Sequence, residues 1–166
     1  MARADPTGGM WAAQPTFRLA ARPLARLQAI VAALDGPNGV LVVPDWWYDG
    51  ERGFLGGATG GLTATANKDA AEIAVSGVGG SGPHFLAGDR IGAGGRVYLV
   101  LADVTAASGS ATLPVRPRVR AALAGAAVAR AGLLYRMSLT GDGQGAAEIP
   151  EGARTATMAL SLVEAE

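Results

Sequence analysis

The stretch FLAGDRIGAGGRVYLVLADVTAASGSATLPVRP, residues 85–117, decides the fold. Two apolar runs flank Gly94-Gly95, and a third run, residues 111–115, follows a turn-rich link. A Gly-Gly pair between β-rich runs signals a two-residue hairpin, because a type I′ turn needs φ > 0 at both central positions. The pattern predicts paired strands over 90–93 and 96–101, and a third strand over 111–115 after a turn at Ser108-Gly109. Gly88-Asp89 marks another tight turn. No catalytic group stands out in the stretch, which reads as scaffold.

Downstream, Arg116, Arg118 and Arg120 alternate with Pro117, Val119 and Ala121, so an extended chain places the three arginines on one side. Residues 127–139 read as a strand with Leu133, Tyr135, Met137 and Leu139 on one face. A polar turn region covers 141–145. Residues 154–163 alternate again, with Met158, Leu160 and Leu162 against Thr157, Ala159 and Ser161.

Upstream, 77–82 is a Gly/Ser-rich hinge leading to Pro83 and His84, and 72–75 is a short strand. Residues 55–68, rich in Gly, Ala and Thr, read as a long, poorly specified connection. The β-branched run 40–43 stops at Pro44, which suits an edge strand. The helix candidate spans 22–36. In it Leu24, Leu27, Ile30, Val31 and Leu34 recur at three- and four-residue spacing, and Pro23 sits in the first turn. Gly36 then supplies a left-handed C-cap and Pro37 stops the helix. Arg22 and Arg26 lie off the apolar stripe, facing solvent or a partner. Residues 1–9 read as an arm or strand lead-in, with Met10, Trp11 and Phe17 as the nearest large apolar groups.

Several short alternating strands and one amphipathic helix predict a mostly-β fold: a β-sandwich or small barrel whose helix covers an open face or edge of the sheet. The length fits a single domain, residues 1–166, with a β-hairpin subdomain inserted over 70–120.

Composition narrows the functional classes. Apolar residues make up 49 % and charged residues only 17 %, with 25 Gly, so partners are expected to cover part of the surface. Formal net charge is zero, which offers no global electrostatic case for nucleic acid or anionic lipid. Lys68 is the sole lysine among 14 basic residues. Arginine suits bidentate pairing at protein interfaces, although a GC-rich genome gives the same bias. With no Cys, disulfides and thiolate metal sites are excluded. No apolar run reaches the roughly 18 residues of a membrane span. The first residues carry no signal-peptide core, so the protein is expected to be made in the cytoplasm, with no export signal of its own.

Catalytic constellations are sparse. There is no thiol nucleophile and no GxSxG elbow around a serine. His84, the single histidine, reads as a turn or half-buried structural residue rather than a base or ligand. A zinc site needs several His or Cys ligands. Asp45, Asp49 and Glu51 do not match the EF-hand spacing, and a solvated acidic loop explains them better than calcium or a glycosidase pair. The segment 77–82 lacks the Lys-Ser/Thr of a phosphate-binding loop. No catalytic, cofactor or metal site is assigned, and the chain reads as a non-enzyme.

The remaining candidates are contact residues. Trp46, Trp47 and Tyr48 crowd one loop. They suit either packing in a core or an oligomer interface, where aromatics are enriched, or a sugar-stacking surface of a carbohydrate-binding module, and packing or interface is the preferred reading. Arg116, Arg118, Arg120, Arg22 and Arg26 complete the set. For the 116–120 row, a contact with acidic groups on a neighbouring subunit or a solvated strand face fits the zero net charge better than nucleic-acid phosphates.

The order of features resembles small tail proteins of bacteriophages and prophages. Their AGD-x-I-x-x-GG-x-x-Y-x-V pattern stands here as Ala87-Gly88-Asp89, Ile91, Gly94-Gly95, Tyr98 and Val100. A following DV-x-A…G-x-ATL-x-x-P-x-x-R segment stands as Asp103-Val104, Ala106, Gly109, Ala111-Thr112-Leu113, Pro117 and Arg120. The helix ending in Leu34-Asp35-Gly36 and the strand after Gly39 also resemble that group. The likeness covers most of 23–163 in order, and the hairpin segment is its most specific part. The resemblance implies a distal tail or baseplate component with a β-sandwich related to tail-tube proteins. It implies a ring homo-oligomer, a hexamer, joining the tail tube to the baseplate hub in the virion, with DNA passing only through the lumen and no membrane contact. The chain departs from that pattern at its start, where the first strands of a tail-tube fold are not legible.

Overall fold

Strands dominate the chain. The computed structural model describes residues 2–4, 11–45, 61–79, 83–151 and 154–165, and of 2–4 the backbone alone. In chain order the elements are β1 (Ala2–Ala4), β2 (Trp11–Ala13), β3 (Thr16–Ala20), helix α1 (Ala21–Ala33), β4 (Leu41–Pro44), β5 (Thr63–Ala66), β6 (Glu72–Ser76), β7 (Pro83–Phe85) and β8 (Arg90–Ala93). There follow β9 (Arg96–Val100), β10 (Val104–Thr105), β11 (Ser110–Arg116), β12 (Leu123–Ala129), β13 (Leu134–Leu139), β14 (Ala147–Glu148), β15 (Thr155–Ala159) and β16 (Leu162–Glu164). Among the described residues the fold is mostly β with one α-helix and a small closed barrel. The chain divides into two compact units, Met1–Arg3 with Met10–Val43 and Arg136–Glu166, and Ala4–Gly9 with Pro44–Tyr135. The 70–120 segment lies within the second.

The second unit is built on six strands closed in the order β11-β6-β5-β12-β8-β9, all paired antiparallel. The hairpin predicted at Gly94-Gly95 forms. Ala93 pairs Arg96 across a two-residue loop, and Gly94 and Gly95 have φ of 57° and 76°, as a type I′ turn requires. The turn at Ser108-Gly109 forms in the same way, with φ of 50° and 79° and paired bonds between Ala107 and Ser110. Alternation places Ile73 and Val75 of β6, and Ala111, Leu113 and Val115 of β11, inside the barrel. Phe85, Ile91, Tyr98 and Val100 join them in one apolar cluster.

Barrel closure depends on two seven-residue strands that exchange partners. β11 pairs with β6 through Ser110–Pro114 and with β9 through Val115 and Arg116. β12 pairs with β5 and then, from Val128, with β8, after a bulge between Ala124 and Ala126. Gly125 within that bulge has φ of 67°. Strands that switch sheets at bends are how two small sheets become one closed surface.

In the first unit β2, β16, β13 and β4 are successive strands of a five-stranded sheet that β1 and β4 terminate. The edge position expected from Pro44 is therefore observed for β4. A three-stranded sheet β14-β15-β3 lies in the same unit, and α1 packs against β3 and β15. Trp11, Met137, Met158 and Leu162 are buried here. Early in the chain, β2 and β3 pair with β16 and β15.

Five expectations need correction. First, α1 is narrower in its burial than the stripe suggests. Leu24 and Val31, seven residues apart and so at nearly the same angle, are buried, whereas Ile30, about 100° away, is 48 % exposed. Its end is also shared: Asp35 as well as Gly36 is left-handed, with φ of 51° and 62°. Second, 127–139 is two strands, because left-handed Gly132 breaks the run, although the buried face of Leu133, Tyr135, Met137 and Leu139 is as expected. Third, 154–163 is likewise two strands, with β15 on β3 and β16 on β2 and β13. The alternate burial of Met158, Leu160 and Leu162 persists as the chain crosses between sheets. Fourth, the connection expected over 55–68 contains barrel strand β5, whose Ala64 is fully buried. Small interior side chains gave the strand little hydrophobic signal. Residues 46–60 lie outside the described residues. Fifth, His84 is not in a turn but buried in β7.

The two hairpin glycines separate backbone strain from packing. A Cβ on Gly94 would lie 2.6 Å from Leu123 Cδ2, whereas one on Gly95 would meet nothing within 4 Å. Gly95→Ala is expected to cost about 1–2 kcal/mol, the left-handed penalty alone. Gly94→Ala should cost measurably more. Urea denaturation of both variants checks the order; equal losses would mean that Leu123 moves aside freely.

Candidate functional site

The motif residues of 85–120 lock onto one another. Leu86, Ala87, Gly88 and Asp89 form a turn in which the Asp89 amide donates to the Leu86 carbonyl at 3.0 Å, with Gly88 at φ 94°. Type II turns need φ > 0 at that third position. The buried Asp89 carboxylate accepts the Leu86 N–H at 2.8 Å, and the Asp103 carboxylate accepts the Ala87 N–H at 2.8 Å. The Asp of the AGD segment and the Asp of the DV segment therefore satisfy neighbouring backbone donors of one turn. Both act as turn formers. Phe85 is fully buried, and the Arg130 guanidinium lies 5.5 Å from its ring centroid.

His84 is 1 % exposed. Its Nδ1 accepts the Ala106 N–H at 3.2 Å, so Nε2 carries the proton and donates to the Gly79 carbonyl at 2.9 Å. Both ring nitrogens are thereby spent on backbone groups of two other segments, and the residue works as a crosslink.

The barrel unit also holds a cluster that the sequence did not reveal. Asp45 follows β4, Arg90 opens β8 and Tyr135 lies in β13. Arg90 Nη1 forms an ion pair with Asp45 Oδ2, and the Tyr135 hydroxyl donates to the same oxygen at 2.8 Å. Arg90 Nη1 also lies 3.3 Å from the Tyr135 hydroxyl. The Asp45 side chain is 2 % exposed and that of Arg90 17 %. Asp45 N–H donates to the Leu133 carbonyl at 3.0 Å, so its backbone is tied as well. Burial, reinforced by the hydrogen bond to Asp45, pushes the Tyr135 phenol well above its ordinary value. At neutral pH it is a donor, not a base. For Arg90 burial acts downward, but the Asp45 bond and the charges around it outweigh burial and raise the guanidinium. One signal was available in the sequence: Tyr135 falls on the apolar face of its strand, where a hydroxyl needs a partner.

The predicted contact residues distribute as follows. Arg116 ends β11, whereas Arg118 and Arg120 lie in the irregular segment after it, which corrects the single extended run. Even so, burial still alternates: Pro117 and Val119 are buried, Arg118 is exposed, and Arg116 and Arg120 are half-buried. The segment is held by the Val119 N–H to Ala70 O bond at 3.0 Å and by Arg118 Nη1 to Asp69 O at 3.0 Å. Arg116 Nη1 donates to Val115 O at 3.0 Å. Arg22 and Arg26 are exposed on α1, off the buried line. Trp46, Trp47, Tyr48, Asp49 and Glu51 lie outside the described residues.

Among the described residues no group of three or more His, Asp or Glu side chains converges as a metal site, and no helix is long and apolar enough to cross a membrane. No protein-family model matches the chain, and no curated protein matches it.

The Tyr135 hydroxyl yields a pH signature. A phenol raised by folding contributes stability that is complete below the unfolded value of about 10 and is lost as pH rises beyond it. Tyr135→Phe should cost about 1.5–3 kcal/mol at pH 7, the loss of a hydrogen bond to a charged group. The difference from wild type should shrink above about pH 10. Denaturation curves at pH 7, 9 and 11 check this, and a pH-independent difference would contradict it.

Proposed function

We propose that the chain is a non-enzymatic structural component of a phage tail tip or baseplate, a ring-forming distal tail protein that joins the tail tube to the baseplate hub. The observation that carries the reading is the segment 87–120. It holds the tail-protein pattern in order, and Gly88, Asp89, Gly94, Gly95, Asp103 and Gly109 all serve turns of one barrel. A pattern made of turn formers and core residues is what a scaffold lineage would keep, since neither the carboxylates nor the glycines are placed to act on a substrate.

The mechanism is burial of surface between subunits. Low charge supports it, as do large apolar side chains left open to solvent, Ile30, Val40, Val42 and Ile149 in the first unit and Leu101 and Leu134 in the second. The arginines at 116, 118 and 120, exposed or half-buried, supply directional polar contacts.

Sedimentation velocity at micromolar concentration should give a discrete oligomer, and mass spectrometry of purified virions should find the chain. Arg116→Glu/Arg118→Glu/Arg120→Glu should weaken the oligomer at least tenfold. A monomer that is also absent from virions would sink the reading.

A further inference from the structure

An open cavity of about 400 Å³ lies in the first unit, between the second half of α1 and the loop 141–145. Its floor is apolar: Val31 and Leu139, both buried, line it. Its wall is held rigidly by side-chain amides. Gln144 Oε1 accepts the Ser161 N–H at 2.6 Å, Gln144 Nε2 donates to Ser161 O at 3.1 Å, and Gln28 Nε2 donates to Gly145 O at 3.3 Å. These amides are spent on the framework, so the wall is formed before any ligand arrives.

What remains at the rim is negative. Asp35 and Asp142, both exposed, line the cavity, and among the described residues neither carboxylate has a hydrogen-bond or ion-pair partner. The Asp142 carboxylate sits against Gly36, where any Cβ would collide with it, so a glycine there lets the acid reach the rim. The C-terminal end of α1, the negative end of its dipole, adds to the same sign. Among the described residues no Arg or Lys lines the cavity. An anion is disfavoured on every side. A calcium ion needs six to eight oxygens, and two carboxylates on separate segments supply too few. An apolar floor below an acidic rim instead matches a cation carried on an aliphatic stem, a lysine or arginine side chain that lays its methylenes on Val31 and Leu139.

We propose that this cavity receives an arginine side chain from a second copy of the chain. Charge complementarity selects the occupant: the basic residues are Arg with the one exception of Lys68, and exposed Arg118 stands between half-buried Arg116 and Arg120. A planar guanidinium can bond two carboxylates at once, which an ammonium does less well. A cavity on one unit that takes a side chain from the other unit of the next copy is a heterologous contact, the kind that generates a ring when its rotation closes. The inference rests on the self-assembly reading above and gives that assembly a specific joint.

The test uses the full chain and two readouts. In NMR titration, N-acetyl-arginine amide should shift the side-chain amides of Gln28 and Gln144 and the backbone amide of Gly143. N-acetyl-citrulline amide, the neutral isostere, should not. Asp35→Asn/Asp142→Asn should weaken the arginine response at least tenfold. In sedimentation that double variant and the Arg116→Glu/Arg118→Glu/Arg120→Glu variant should each lose self-association. Mixed one to one, they should form a heterodimer, since the first retains the arginines and the second the cavity. No arginine response, or one unchanged by the Asn variant, overturns the proposal. A wild type that oligomerises equally well with both acids neutralised overturns the joint while leaving the assembly reading standing. Arginine binding by a wild type that stays monomeric overturns the second-copy assignment and the assembly reading together.

Discussion

Closure of the barrel is the constraint on which the rest of the second unit depends. Its strands are short, and a short strand left at an open edge exposes unpaired amides and carbonyls. β11 and β12 remove those edges by serving two partners each. The exchange in β11 falls at Pro114, whose missing N–H is not needed there. The Pro114 carbonyl accepts the Leu101 N–H at 2.9 Å on one side, and the Val115 N–H reaches the Ala71 carbonyl at 2.8 Å on the other. Proline weakens a central strand, but at a partner switch it removes a donor that would have had no acceptor.

Polar groups inside this unit follow the same rule of complete satisfaction. Asp89 answers a turn amide, His84 joins two backbone segments, and Asp45 is answered by Arg90 and Tyr135. Among the described residues no buried side-chain polar atom lacks a partner. A buried ion pair adds little net stability over an apolar substitute, but removing one member leaves an uncompensated charge, which is far more costly. The Asp45 cluster therefore holds the chain where it enters the segment 46–60 and where it leaves the barrel at Tyr135, and it tolerates no single loss. That is a specification of geometry more than a store of free energy.

Legibility tracked the range of the interaction. Turns at Gly88-Asp89, Gly94-Gly95 and Ser108-Gly109 were readable because each depends on φ at one or two residues, and glycine states that preference locally. Strand β5 was not, because Ala and Thr say little about burial until a neighbouring sheet closes over them. The breaks within 127–139 and 154–163 were hidden for a related reason: period-two burial is unchanged when a strand leaves one sheet and joins another. The contact candidates divide in the same way. The burial of Pro117 and Val119 beside more exposed arginines followed from alternation. The Asp45–Arg90–Tyr135 cluster joins residues far apart in sequence, and no local pattern announces it.

The sequence by itself determined the β character, the three turns, the edge position of β4 and the inward faces of 133–139 and 158–162, since all of these are settled by backbone sterics and by a period of two. Only the tertiary structure decided that the strands close into a barrel, that the Asp of the AGD segment and the Asp of the DV segment serve one turn, and that His84 is a buried crosslink. It also decided that Asp35 and Asp142 meet at one cavity. These depend on which segments become neighbours, and neighbours are chosen by the packing of the whole chain, through contacts between residues that sequence order keeps apart.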